Sequence, residues 1–369
     1  MLWLLAIHHI KSDGSVSVEK KFPKNYFAQI VQFSFKKTGI QADCSWNNKK
    51  FTIEGETNMY RFVLLGASGF VAPRHMKAIK ETGNQLISAL DPNDSVGIID
   101  SYFPESDFFI EFERLDRHID KLRRKGKKID YVSICSPNYL HDAHIRFALR
   151  NDAHAICEKP LVLNPWNIDG LEEMENETGK NVYNILQLRL HPSIIELKER
   201  IDISSKNTKA DVELTYITSR GRWYFISWKG DVHKSGGIAT NIGIHFFDML
   251  IWIFGPVQHN TVHLMDSNSA SGFIELENAR VRWFLSVDET KLPSEQIEKG
   301  QRTFRSITVN GEELEFSGGF TDLHNASYED ILNGGGFNSS HARPSIETVY
   351  TIRNSKPIGL KGDYHPFVI

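Results

Sequence analysis

The sequence predicts an α/β protein in two parts: a doubly wound parallel sheet, then an α+β domain with a large open, mostly antiparallel sheet. Three observations predict it. Short apolar runs alternate with amphipathic stretches between residues 60 and 188. A glycine turn follows the first of those runs. After about residue 190 the texture changes to alternating, β-branched and aromatic segments.

Residues 1–58 stand apart. They hold the basic pairs Lys20-Lys21, Lys36-Lys37 and Lys49-Lys50, scattered aromatics and no sustained period. Met59 then precedes the first apolar run, so 1–58 reads as an extension dispensable for chemistry, with an over-called start codon one origin. A small appended β-rich element is the alternative. In the first part, strands are expected at 60–66, 85–90, 130–135, 154–158 and 182–188. Helices are expected at 73–83, 111–125, 140–151 and 167–179. Strands joined by helical crossovers make a parallel, Rossmann-type sheet over 59–188. In the second part, 189–369, strands are expected at 211–219, 257–266, 279–287 and 303–316. Helices are expected at 240–254 and 345–353.

Composition narrows the function. The 369 residues carry 43 Lys plus Arg against 46 Asp plus Glu, a net charge of −3, which does not favour a nucleic-acid partner. Three cysteines (Cys44, Cys135, Cys157) cannot build a disulfide framework, which fits a reduced, cytoplasmic protein. No apolar run reads as a bilayer span, and MLWLLAI lacks a basic leader, so no membrane partner is expected.

Four motifs carry chemistry. Strand 60–66 ends in Gly66-Ala67-Ser68-Gly69-Phe70-Val71-Ala72 ahead of a helix. A dinucleotide needs small residues there, for a sharp turn, close backbone approach to pyrophosphate and amides at a helix N-terminus. The fit to GxGxxG is imperfect, with Ser68 and Val71 in the second and third places. Asp91 ends the second strand, 22 residues after Gly69. A carboxylate there accepts ribose hydroxyls and repels a 2′-phosphate, so NAD is expected rather than NADP. The third motif is Ser136-Pro137-Asn138-Tyr139-Leu140-His141, and the fourth is Glu158-Lys159-Pro160. Both lie at carboxyl ends of strands, where open α/β sheets bind ligands.

Together with Gly236-Gly237 and the block Asn241-Ile242-Gly243-Ile244-His245-Phe246-Phe247-Asp248, these motifs resemble the Gfo/Idh/MocA oxidoreductases over residues 59–369. The resemblance implies a Rossmann domain, a C-terminal domain whose open sheet carries substrate and subunit contacts, a homotetramer, and Lys159 in the catalytic site. Asn241 stands where the family motif usually has Asp. The segments Gly69–His75, Gln187–Ser193, Arg220–Trp228, Ser235–Asp248, Phe316–His324 and Ala342–Glu347 are similar to one branch. That branch is the UDP-N-acetyl-glucosaminuronate 3-dehydrogenases of O-antigen sugar pathways. It implies oxidation of a sugar C3 hydroxyl, NADH reoxidised by 2-oxoglutarate, and Asn241 as the branch's own residue.

The residues suit that chemistry. Oxidising a secondary alcohol removes a proton while hydride leaves carbon. His245 is expected as the base, with Asn241 four residues earlier on the same helix face and Asp248 either orienting the ring or forming a helix salt bridge. Lys159 polarises the oxygen or relays the proton, and which of the two takes it stays open. The expected cofactor residues are Gly66, Ser68, Gly69, Phe70, Val71, Asp91, Ser136, Pro137, Asn138, His141, Glu158 and Lys159. A doubly anionic nucleotide sugar needs cations and aromatics, and Arg189, Arg222, Trp228, Lys229, Asn241, His245 and Arg343 are the expected substrate residues. His75 and His191 also fall in motif segments. No residue set shows convincing metal-ligand spacing, and no GxSxG elbow occurs. A dehydrogenase of another sugar or inositol, or a non-catalytic NAD-binding sensor, are the alternatives.

Overall fold

The computed structural model describes residues 59–203, 208–314 and 322–368, with three short strands before them. The chain divides into units Met1–Met59 and Tyr60–Ile369. In the first unit, β1 (Ser15–Val16), β2 (Gln41–Asp43) and β3 (Phe51–Glu54) form an antiparallel sheet with β3 central.

The second unit opens with six parallel strands: β4 (Arg61–Leu65), β5 (Gln85–Leu90), β6 (Asp107–Phe109), β7 (Tyr131–Ile134), β8 (His154–Cys157) and β9 (Val182–Asn184). Their order is β6-β5-β4-β7-β8-β9, the doubly wound arrangement with its switch point between β4 and β7. The crossover helices include α1 (Ala72–Glu81), α2 (Phe112–Arg124), α3 (His141–Arg150) and α4 (Pro165–Thr178). The central strands are apolar on both faces: Phe62, Val63, Leu64 and Leu65 are fully buried because helices cover both sides. Two details differ from the sequence expectation. β6 is a three-residue edge strand, too short to show a period. The strand expected over 182–188 stops at Asn184, and a 3₁₀ turn spans Gln187–Leu190.

α5 (Pro192–Ile203) then leads to a second six-stranded sheet, in the order β11-β12-β13-β10-β14-β15. Its strands are β10 (Ala210–Thr218), β11 (Val257–Met265), β12 (Ser269–Leu276), β13 (Ala279–Ser286), β14 (Thr303–Val309) and β15 (Glu312–Glu313). Only the β10–β13 pair is parallel. β12 was not foreseen: Ser269-Ala270-Ser271-Gly272 is small and weakly patterned, and Gly272 is there because a Cβ would meet Thr261 O at 2.2 Å and the Trp283 ring at 2.6 Å. The end of the 303–316 prediction and most of the Phe316–His324 segment lie outside the described residues.

α6 (Ile244–Phe254) packs against α8 (Ser339–Asn354) and α5, while α7 (Leu323–Leu332) packs against α1. The helical run Val232–Phe254 is long and apolar enough to cross a membrane by length and composition, but 78% of its apolar 18-residue window is buried inside the protein. It is a core helix. α8 begins ahead of the 345–353 prediction at an Asn338–His341 capping box and tolerates Pro344 inside its first turns.

Candidate active site

The β4–α1 turn fits a pyrophosphate. Gly66 has φ +89°, and a Cβ there would sit 2.6 Å from Ser136 N. No side chain is admitted between the two loops. Gly66 and Ala67 donate to Leu90 O at 2.8 and 3.1 Å, which tightens the turn. Val71 then caps α1, with Pro73 in its first turn. Phe70 is exposed beside it. Asp91 accepts from Ser68 N (3.0 Å) and Asn93 N (2.9 Å), so its carboxylate is fixed at the end of β5. Each oxygen keeps a lone pair for a sugar hydroxyl.

The SPN and EKP loops stand on the neighbouring strand ends. Ser136 Oγ lies 2.8 Å from His144 Nδ1. Asn138 Nδ2 donates to Ser235 O at 2.9 Å, joining the nucleotide half to the second half of the chain. His141 is a brace, its ring held between Pro160 O (2.7 Å) and Ser136 O (2.8 Å). Pro137 holds the extended φ/ψ that opens the turn after it. The Lys159–Pro160 peptide is cis.

Lys159 and His245 come from opposite halves and converge electrically. Burial pulls the His245 imidazole well below its usual range, and the charges of Lys159 and Arg305 push it further down. Its Nδ1 is buried without a hydrogen-bond partner, a polar atom in want of a ligand. Burial likewise draws the Lys159 ammonium down, opposed by Glu158 and reinforced by Arg220 and Arg74. The turn before His245 is not regular α-helix. Ala239–Gly243 is a π turn, so Asn241 does not hold the simple i, i+4 relation expected of it. Its Nδ2 donates to the Tyr224 hydroxyl at 2.9 Å. Gly243 permits this turn because a Cβ would meet the Leu285 side chain at 2.5 Å.

The segment 222–229 supplies aromatics and a cation. Lys229 sits over the Trp228 ring at 4.2 Å, and burial lowers its pKa. Arg222 and Trp223 are exposed on the same segment.

Three expectations are corrected. Arg189 is not open to a substrate: its guanidinium holds Asp248 through two hydrogen bonds of 2.9 and 2.7 Å, with both side chains buried. Asp248 is thereby the partner of Arg189 and does not orient His245. Arg343 is taken by Asp169 (2.8 Å) and Glu172 (2.9 Å) of α4. Glu158 is only 5% exposed, and its Oε1 accepts from His75 and His324. Sequence reasoning placed Tyr224 among the aromatics near the substrate cations but gave no role to His324, Arg220 or Arg305, although the first two fall in the motif segments Phe316–His324 and Arg220–Trp228. His75, Glu158 and His324 place their ligand atoms within 4.8 Å of one another, but each is accounted for by a hydrogen bond.

A Rossmann sheet with a glycine cradle, an acidic residue at the end of the second strand and a lysine at the end of β8 defines a nicotinamide-dependent oxidoreductase. The chain belongs to the Gfo/Idh/MocA oxidoreductase family. Residues 60–185 match the family's NAD-binding Rossmann fold, and 208–294 match its C-terminal alpha/beta domain. The WlbA (WbpB) dehydrogenase from Thermus thermophilus in complex with NAD and alpha-ketoglutarate is 50% identical, with a TM-score of 0.81 over 84% of this chain and all of that one. A second structure of that dehydrogenase, with NAD and UDP-GlcNAcA, is 49% identical with a TM-score of 0.80 over the same shares. Among curated relatives, Escherichia coli D-glucoside 3-dehydrogenase is 27% identical over 131 residues, 35% of this chain and 36% of its own. Rhizobium meliloti inositol 2-dehydrogenase is 29% identical over 53% of this chain and 55% of its own. The chain thus matches 36% to 66% of the length of the curated relatives.

Proposed function

We propose that this protein oxidises the C3 hydroxyl of a UDP-linked N-acetylated hexuronic acid to the ketone. The observation that carries the reading is the buried His245 ring, its Nδ1 without a hydrogen-bond partner and within reach of the Lys159 charge from the other half of the unit. The similarity to a dehydrogenase crystallised with NAD and UDP-GlcNAcA supports the choice of sugar. NAD supplies the hydride acceptor. The neutral His245 ring accepts the hydroxyl proton, Lys159 donates a hydrogen bond to the same oxygen, and Asn241, anchored by Tyr224, turns its amide to the sugar. Lys229 and Trp228 offer a cation and a flat face to the anionic, ring-shaped ligand.

The companion structure with alpha-ketoglutarate supports reoxidation of bound NADH by 2-oxoglutarate, giving 2-hydroxyglutarate. In this reading the protein is cytoplasmic, tetrameric through its open sheets and active in O-antigen sugar synthesis. The test is absorbance at the NADH band when the purified protein meets NAD and UDP-GlcNAcA. A signal that 2-oxoglutarate then removes is expected. Reduction with a free polyol and none with the nucleotide sugar overturns the substrate assignment.

A further inference from the structure

A buried cluster behind the lysine has no part in the steps above. Glu158 Oε1 accepts from His75 Nε2 at 3.0 Å and from His324 Nε2 at 2.9 Å. Its Oε2 accepts the Lys159 backbone N–H at 3.2 Å. His75 Nδ1 lies 2.7 Å from the Tyr328 hydroxyl, which lies 2.6 Å from Ser133 Oγ. All five side chains are between 0 and 5% exposed and come from α1, α7, β7 and the end of β8. The arrangement balances with neutral imidazoles: Ser133 donates to Tyr328, Tyr328 to His75, and both rings donate to an ionised carboxylate. A carboxylate this deep stays charged only because those donors face it.

We infer that His75 and His324 are positioning residues that hold Glu158 ionised, so that Glu158 serves as the fixed counter-charge of Lys159. The local geometry carries this: Glu158 directly precedes Lys159, and its Oε2 accepts that residue's backbone N–H at 3.2 Å. Arg74 from α1 and Arg220 beyond β10 both disfavour its ammonium, and Glu158 is the anion that favours it. Burial raises Cys135, Cys157 and Tyr328, which keeps them neutral. His141, braced by two carbonyls, and His245 are pushed toward neutrality as well. A desolvated lysine among cations gives up its proton more readily than a solvated one. With Glu158 beside it, the amine keeps the proton it donates to the substrate oxygen more firmly.

This rests on Lys159 being the lysine of the proposed reaction, so the experiment reads the amine itself. Competitive labelling of Lys159 with acetic anhydride across pH, followed by peptide mass spectrometry on the full chain without substrate, gives its titration midpoint. Glu158→Gln keeps the shape and loses the charge. Its midpoint is expected to fall by about one pH unit, which is about tenfold more neutral amine at a given pH below the midpoint. His324→Phe removes a donor and is expected to move the midpoint the same way, whereas His324→Gln, which keeps an N–H, restores it. A purely structural role would not separate the Gln and Phe variants by midpoint. An unchanged or raised midpoint in folded Glu158→Gln overturns the proposal. Should that variant not fold, equal midpoints in His324→Phe and wild type overturn it. If the wild type fails to oxidise UDP-GlcNAcA, the proposed function falls while the labelling curve still decides this point.

Discussion

Lys159 and His245 are both drawn toward their neutral forms. Burial is the first cause in both cases, and the Lys159 charge acts on His245 in the same direction. A neutral imidazole beside an ammonium is the pair an alcohol oxidation uses, one group to receive the proton and one to steady the oxygen. Lys159→Ala and His245→Asn are therefore each expected to lower kcat by roughly 10²–10⁴-fold, the range for a general acid–base group. Steady-state rates with NAD held saturating check this, and near-wild-type turnover in both variants removes the assignment. Gly66 makes a separate prediction at the same scale. Its φ of +89° and the backbone 2.6 Å from an added Cβ leave no room for alanine. Gly66→Ala is expected to weaken NAD binding, read as a higher Kd by fluorescence titration, more than it alters sugar binding.

At the scale of elements, the Arg189–Asp248 pair ties the turn after β9 to α6. Removing one partner leaves a buried charge alone, so Asp248→Ala is expected to cost about 3–5 kcal/mol in urea unfolding. The double change Arg189→Met with Asp248→Leu restores most of that, because well-packed apolar groups replace a buried pair at little cost. A sugar KM unaffected in the double variant would agree with Arg189 as a structural tie, and a KM raised more than tenfold would return it to the substrate site. The strand and helix succession of the Rossmann half was legible in the sequence because its period switches between runs such as Phe62–Leu65 and the helix beginning at Ala72. The glycine turn, Asp91, Lys159 and His245 were legible because their chemistry is local to a motif. The edge strand Asp107–Phe109 was not, being too short for a period, nor was the small-residue strand Ser269–Leu276. Arg189 and Arg343 misled because a cation in a motif looks the same whether its anion is a ligand or Asp248, Asp169 or Glu172. The His75–Glu158–His324 contact was invisible because it joins residues 83 and 166 positions apart.

For the whole molecule, the family match begins at residue 60, where the unit Tyr60–Ile369 also begins. A chain started at Met59 is accordingly expected to keep NAD-dependent turnover, and loss of activity with an intact fold would refute dispensability. The larger unit also carries a global pH signature. Burial lowers His144 and His365 to about 4 and depresses His75, His141 and His245. In the unfolded chain each of these rings titrates near 6.5. Between 6.5 and about 4 the unfolded state therefore binds more protons, and stability falls as pH falls. The contribution of His144 and His365 is complete above 6.5 and gone below about 4. Glu158, held well below the usual carboxyl range, adds loss in the same direction at still lower pH. Asp248 and Glu175, raised by burial, bind protons more readily in the folded state and oppose the decline just above the ordinary carboxyl range. Urea midpoints from pH 8 to 4 are expected to be level above about 7 and to decline steadily below 6.5, with a shallower slope in His144→Asn and His365→Asn. A level profile from 6.5 to 5 would mean that the buried rings already carry their protons in the native state, and with them the neutral His245 on which the chemistry depends would be lost.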